Sequence, residues 1–155
     1  MSVSSDLTFL DRVKIQAEVL LPLIKGFEAE LGAERARGIA REALQEWVRK
    51  SYAELREKSP GNPIDLISSG IPLFAKGALE VEMVDRSPDT LAFDVTRCAY
   101  AEFYEALGEP ELGFLFVCEL DDAMAEGLGS DLEFQRTQTI MQGAKHCDFR
   151  YRRRP

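Results

Sequence analysis

The chain has three cysteines, Cys98, Cys118 and Cys147, and each stands beside acidic side chains; these groupings are where chemistry is most readily built. Cys98 and Glu102 lie four residues apart in a segment of helical spacing, so both point to one side, and Cys118 bears the same relation to Asp121 and Asp122. Each grouping has the atoms to hold a proton or a metal ion. In His146-Cys147-Asp148 the period is that of a strand: Cys147, Phe149 and Tyr151 share one face, with His146, Asp148 and Arg150 on the other. Cys147 therefore looks inward and joins a composite site only if the fold brings it to Cys118 or Cys98. A nucleophilic thiolate needs a depressed pKa, and the acids around Cys118 act the other way, which argues against a simple Cys–His nucleophile. His146 is the only histidine, so a mechanism with two imidazoles is excluded, as is a His-rich zinc site. A mixed set of Cys, Asp, Glu and His suits zinc chemically, but no spacing here is diagnostic of it. The odd cysteine count, without a C-x-x-C pair, points to reduced thiols, and each thiol also reads simply as a small buried hydrophobe.

Arg136 falls on the strand face shared by Leu132, Phe134, Gln138 and Ile140, an apolar row that does not accept a guanidinium without a partner. Either that face lines a pocket, where the guanidinium would grip a carboxylate through two parallel hydrogen bonds, or Arg136 pairs with an internal acid. Arg97, at the end of another strand, has the same two readings. Thr137, Gln138 and Thr139 add hydroxyl and amide groups, and Tyr100 and Tyr104 lie one helical turn apart beside Glu102. The tyrosines read equally as half-buried helix packing.

The elements that must position these groups follow from the apolar period. Up to Gly77 it is helical: Leu10, Val13, Ala17, Leu20 and Leu21 precede Pro22, which is expected to end or kink a first helix. Gly32 marks a break, and a long amphipathic helix follows from Ala33. Asn62 before Pro63 reads as an N-cap with proline at the first helical position. After Gly77 the period becomes two: Leu79, Val81 and Met83, then Leu91, Phe93 and Val95, flank the turn Asp85-Arg86-Ser87-Pro88-Asp89 and predict an antiparallel hairpin. Residues 98–107 predict a short helix closed by Gly108, and 111–126 a second helix started by Pro110 and stopped by Gly127 and Gly129. Two last strands, Leu132–Met141 and Cys147–Arg153, form a second hairpin around Gln142-Gly143-Ala144-Lys145. The expectation is an α+β fold in a single domain, with N-terminal helices (1–77) packed on a mostly antiparallel sheet of two hairpins with two intervening helices (78–155).

At 155 residues, 45% hydrophobic and 30% charged, the chain has enough apolar side chains for one core, which excludes disorder. The apolar runs are too short to span a membrane, and residues 1–10 lack the pattern of a secretory signal, so a cytoplasmic setting is expected. The net charge of −8 is concentrated: residues 1–77 carry 11 basic and 11 acidic side chains, residues 78–149 carry 4 and 16, and residues 150–155 add four arginines. A broad nucleic-acid surface is disfavoured, and an anionic substrate would have to be drawn in by specific arginines.

Several stretches resemble the L-2-amino-thiazoline-4-carboxylic acid hydrolase family: Val95-Thr96-Arg97-Cys98-Ala99-Tyr100-Ala101-Glu102-Phe103-Tyr104; Leu112-Gly113 followed by Cys118 and Asp121; Arg136-Thr137-Gln138-Thr139-Ile140-Met141 with Gly143; and Cys147-Asp148-Phe149-Arg150-Tyr151. The resemblance covers roughly residues 70–151, the helical first half matching only in length and character. It implies hydrolysis of a five-membered cyclic isothiourea bearing a carboxylate to N-carbamoyl-L-cysteine. On that reading Asp121 or Glu102 activates water, Arg136 or Arg97 holds the carboxylate, and Cys98, Cys118, Cys147, Thr139 and Tyr100 line the site, a Cys118 nucleophile being the less favoured variant. The partner implied is a small carboxylate-bearing substrate with no required cofactor; self-association stays open. The end of the chain, Gly143 then His146-Cys147-Asp148-Phe149, is also similar to the 4-vinyl reductase type of small-molecule-binding domain, in which cysteines and an acid can hold zinc. That gives a second reading, a non-enzymatic small-molecule- or metal-binding domain. Thr139 and Arg136 stand where such a zinc site would want Cys and Glu.

Overall fold

The computed structural model describes residues 6–154. Three helices, α1 (Phe9–Leu31), α2 (Ala33–Lys58) and α3 (Pro63–Ala75), precede the hairpin of β1 (Leu79–Arg86) and β2 (Thr90–Cys98). Then come α4 (Ala99–Ala106), α5 (Pro110–Gly113), a π-helical segment (Phe114–Cys118), α6 (Leu120–Leu128), β3 (Leu132–Gln135), a 3₁₀ turn (Ile140–Gln142) and β4 (Cys147–Arg153). The sheet is antiparallel throughout in the order β1-β2-β4-β3, and the architecture is the expected α+β.

Local chemistry sets most boundaries. Thr8 caps α1 through a reciprocal box: its hydroxyl accepts from the Asp11 amide at 3.1 Å, and the Asp11 carboxylate accepts from the Thr8 amide at 2.9 Å. Gly32, at φ 83°, turns the chain from α1 into α2. Asn62 caps α3 by accepting from the Ile64 amide at 3.0 Å. Of the end or kink expected at Pro22, the end does not occur: α1 runs on to Leu31, and α3 likewise runs through Pro72 to Ala75. Both prolines are exposed, so water can satisfy the carbonyl each leaves without a helical donor.

The sheet's inner face carries Leu91, Phe93 and Val95 of β2, Cys147 and Tyr151 of β4 and Leu132 of β3, packed under Ile64 and Ile67 of α3 and Ala125 and Leu128 of α6. Stacked rings knit it across strands, with Phe93 and Phe149 at 4.9 Å and Phe134 and Tyr151 at 4.7 Å between centroids. A second cluster joins Val13 and Ala17 of α1 to Ala99, Tyr100, Ala101 and Tyr104 of α4, with Cys118 and Met141. Cys98, Leu79 and Ile140 pack against both clusters, so the half-buried Cys98 lies where the two meet.

Gly113, in a stretch that carried the resemblance, has a packing reason to be glycine. A Cβ there would stand 2.5 Å from Cγ of the buried Tyr104 and 2.7 Å from Sδ of Met141. Gly113→Ala is therefore expected to cost about 1–3 kcal/mol, read in a thermal melt as a fall of roughly 3–10 °C in Tm.

Candidate active site

The predicted helix over 111–126 is interrupted. It is α-helical to Gly113, widens to a π turn over Phe114–Cys118 and resumes at Leu120. Such widening leaves main-chain groups near the break without their usual partners, and here a side chain supplies one. Arg136 Nη2 donates to the Cys118 carbonyl at 2.9 Å while Nη1 donates to the Asp121 carboxylate at the start of α6. The Arg136 guanidinium also lies over the Phe149 ring, 5.2 Å from its centroid. Its side chain is 6% exposed, against 27% for Asp121.

Arg136 is not on a strand, a correction to the expected span of 132–141. Strand β3 ends at Gln135, and residues 136–139 run free of the sheet. Asp148 holds this stretch in place: its carboxylate accepts from the Thr137 amide at 2.9 Å, the Thr137 hydroxyl at 2.6 Å and the Gln138 amide at 2.9 Å. Burial works to raise the Asp148 pKa, but these hydrogen bonds outweigh it and keep the carboxyl below the ordinary aspartate range. Thr139 then caps the 3₁₀ turn, accepting from the Gln142 amide at 3.2 Å.

All three thiols feel the Asp121 charge, and Cys118 and Cys147 feel that of Arg136 as well. The Cys118 thiol is pushed well above its ordinary pKa by burial first and by the Asp121 charge second, with smaller contributions from Cys98 and Cys147. Burial likewise carries Cys147 to about 11, although its sulfur accepts from the Ile140 amide at 3.2 Å. Cys98 caps α4, its sulfur accepting from the Ala101 amide at 3.5 Å, and here too burial prevails and raises the pKa. All three are free, neutral thiols at neutral pH and poor nucleophiles. Asp121 behaves differently. Burial raises its carboxyl to about 6 even though Arg136 draws it down, so at neutral pH it is ionised yet proton-hungry.

Other candidates have other engagements. Cys98 is a cap rather than a helix-interior residue, so it does not share a helix face with Glu102 as the spacing predicted. Glu102 instead pairs with Arg97 at 2.8 Å on the surface, near enough to Cys98 for its charge to raise that thiol. Asp122 is exposed. Tyr100 is buried and donates its hydroxyl to the Phe74 carbonyl at 2.8 Å. His146 lies on the outer face, with a ring nitrogen 2.9 Å from the Gln138 amide nitrogen and 3.8 Å from Asp94. The sequence reading missed Tyr52 and did not connect Tyr151 to the site: both phenols are raised by burial and by the Asp121 charge. For Tyr52 the signal is its place four residues after the buried Val48 on α2.

Among the described residues no group of three or more His, Cys, Asp or Glu side chains is placed to hold a metal ion, and Arg136 and Thr139 already serve as ion-pair partner and turn cap. The residues do not fit a zinc site of the 4-vinyl reductase type. No helix among the described residues is long and apolar enough to cross a membrane. Two surface grooves lie on α1 and α2, one lined by Glu42, Gln45, Glu46 and Arg49, the other by Phe27, Leu31, Ile39 and Ala43 among others; neither touches the cysteine cluster.

Comparison with known proteins gives the arrangement its context. No curated protein matches the chain. Among solved structures it is similar to the phenol-responsive sensory domain of the transcription activator PoxR with phenol, at 18% identity over 86% of this chain and 72% of that one, with a TM-score of 0.47. It is also similar to the Fe(II) unliganded H-NOX protein from K. algicida, at 11% identity over 90% of this chain and 74% of that one, with a TM-score of 0.46. The family model for L-2-amino-thiazoline-4-carboxylic acid hydrolase matches residues 12–151, which extends the likeness well into the helical half. Spanning α2, the thiol cluster and the Arg136–Asp121 pair alike, that match shows that the chain belongs to the L-2-amino-thiazoline-4-carboxylic acid hydrolase family.

Proposed function

We propose that the protein hydrolyses a cyclic isothiourea carboxylate of the 2-amino-thiazoline-4-carboxylate type to an N-carbamoyl amino acid, with Asp121 as the base. The observation that carries this reading is Asp121 itself: one oxygen is fixed by Arg136, about a quarter of the side chain stays accessible (27%), and its pKa near 6 suits proton transfer at neutral pH. Water adds to the ring carbon between nitrogen and sulfur while Asp121 takes one of its protons and the carbon–nitrogen π pair moves onto the ring nitrogen. The hydroxyl's remaining proton passes to that nitrogen as its oxygen becomes the carbamoyl C=O, the carbon–sulfur bond breaks, the electron pair leaves with sulfur, and Asp121 returns its proton to the sulfur. The net change is one water added, giving a carbamoyl group and a free thiol. Arg136 positions the base, and the neutral thiols supply soft, uncharged walls for the ring and its departing sulfur.

The substrate carboxylate belongs on Arg97. Arg136 is 6% exposed and already donates to Asp121 and the Cys118 carbonyl, whereas Arg97 is 46% exposed beside Cys98 and shares one nitrogen with Glu102. Arg97→Met is expected to raise KM by roughly 10- to 100-fold with kcat nearly unchanged, since it removes binding common to ground and transition states. The ring needs the cluster to open, and the π-helical break at Cys118 is where movement disturbs the helix ladder least. The three free thiols support a reducing, cytoplasmic setting.

The test is incubation of purified protein with the thiazoline in ¹⁸O-labelled water. The expected product carries the label on its carbamoyl oxygen together with a free thiol; unchanged thiazoline would refute the reading. One observation favours the non-enzymatic alternative, that Arg136 is already internally paired. It predicts saturable binding of the thiazoline without label uptake, and the same experiment separates the two.

A further inference from the structure

Helix α1 presents to solvent a row that belongs to no core. Ile15, Val19, Leu23 and Phe27 recur every four residues and expose 52%, 66%, 51% and 49% of their surface. The protein's own interior takes Val13, Ala17 and Ile24 instead. The apolar surface continues over Leu31 and across to Ile39 and Trp47 of α2, which are 40%, 53% and 61% exposed, and a groove of about 400 Å³ runs between the two helices. At ~150–250 Å² for a large apolar side chain, roughly half of it exposed, these seven residues present on the order of 600 Å², close to what one side of a stable interface buries.

We propose that this face is the seam of a two-fold dimer in which α1 lies antiparallel on α1 of a second copy. The row reads alike in both directions about Leu21: antiparallel pairing centred there sets Val19 against the partner's Leu23, and Ile15 against the partner's Phe27. The same register sets Arg12 at one end against the partner's Glu30 at the other, an opposite-charge contact that the symmetry makes twice. Arg12 and Glu30 are both exposed, and neither has an ion-pair partner among the described residues. Gly26, unfavourable inside a helix and with open space where a Cβ would sit, lets the partner backbone approach.

Sedimentation velocity on the full chain tests this. Wild type is expected at twice the chain mass of 17.4 kDa at micromolar concentration. Val19→Glu and Leu23→Glu are expected to be monomers with unchanged far-UV circular dichroism, since both positions lie outside the cores. Arg12→Glu should weaken the dimer at least ~10-fold at low salt, and Arg12→Glu with Glu30→Arg should restore it. A wild-type monomer, whatever else then covers the row, would overturn the proposal, as would a dimer indifferent to Leu23→Glu or a double charge swap no tighter than its single parent.

Discussion

Arg136→Met is expected to abolish measurable turnover and to cost the fold about 3–5 kcal/mol, because it strands a buried carboxylate and an uncapped carbonyl at the π turn. The guanidinium is 6% exposed and serves Asp121 and the Cys118 carbonyl together, so no water readily replaces it. Arg136→Met with Asp121→Leu separates structure from chemistry. Removing both charges at once is expected to recover most of the lost stability, since two apolar side chains replace a buried ion pair with little net penalty. Turnover is not expected to return. Thermal melts and thiol-release assays on the two variants make the comparison. A double variant that regained activity along with stability would make the pair purely architectural.

Asp121→Asn is expected to lower kcat/KM by roughly 100- to 10,000-fold, the usual worth of a positioned general base. The wild-type rate is expected to fall as pH drops below about 6, where burial holds the Asp121 pKa, and the variant should lose that limb. The sign for stability is opposite. Folding raises this carboxyl from 3.8 to about 6, so its contribution favours the fold fully below the unfolded value and is lost as pH rises through the folded one. The base proposed here would thus be ionised in the pH range where Asp121 least helps the fold, the pattern of a group placed for chemistry rather than for stability.

Much of this was legible in the sequence because local rules governed it. The caps at Asn62 and Gly32, the β1–β2 hairpin and the shared inward face of Cys147, Phe149 and Tyr151 each follow from turn chemistry or period within a few residues. What stayed hidden depends on distant partners. Pro22 suggested a helix end or kink, but it faces solvent, where water satisfies the carbonyl that loses its helical donor. The π turn left no trace in the apolar pattern of 111–126, since Leu112, Leu115 and Cys118 keep the burial spacing of an ordinary helix. Arg136 stands out in the sequence as an arginine in need of a partner, although the strand face expected to hold it ends at Gln135. Its choice of Asp121 over other acids is set by α6 and the 136–139 segment meeting across the core, which spacing along the chain does not reveal. Tyr52 shows the same limit: a residue of the helical half comes within the field of an acid far along the chain.

On the proposed function, Asp121, held by Arg136 beside neutral thiols, activates the water that opens the thiazoline. The most direct measurement is the pH profile of thiol release from 2-amino-thiazoline-4-carboxylate by wild type and Asp121→Asn side by side. Wild type is expected to release thiol with kcat/KM falling about tenfold per pH unit below a pKa near 6, and the variant to be at least ~100-fold slower without that limb. No release by wild type, or the same limb in the variant, would contradict it.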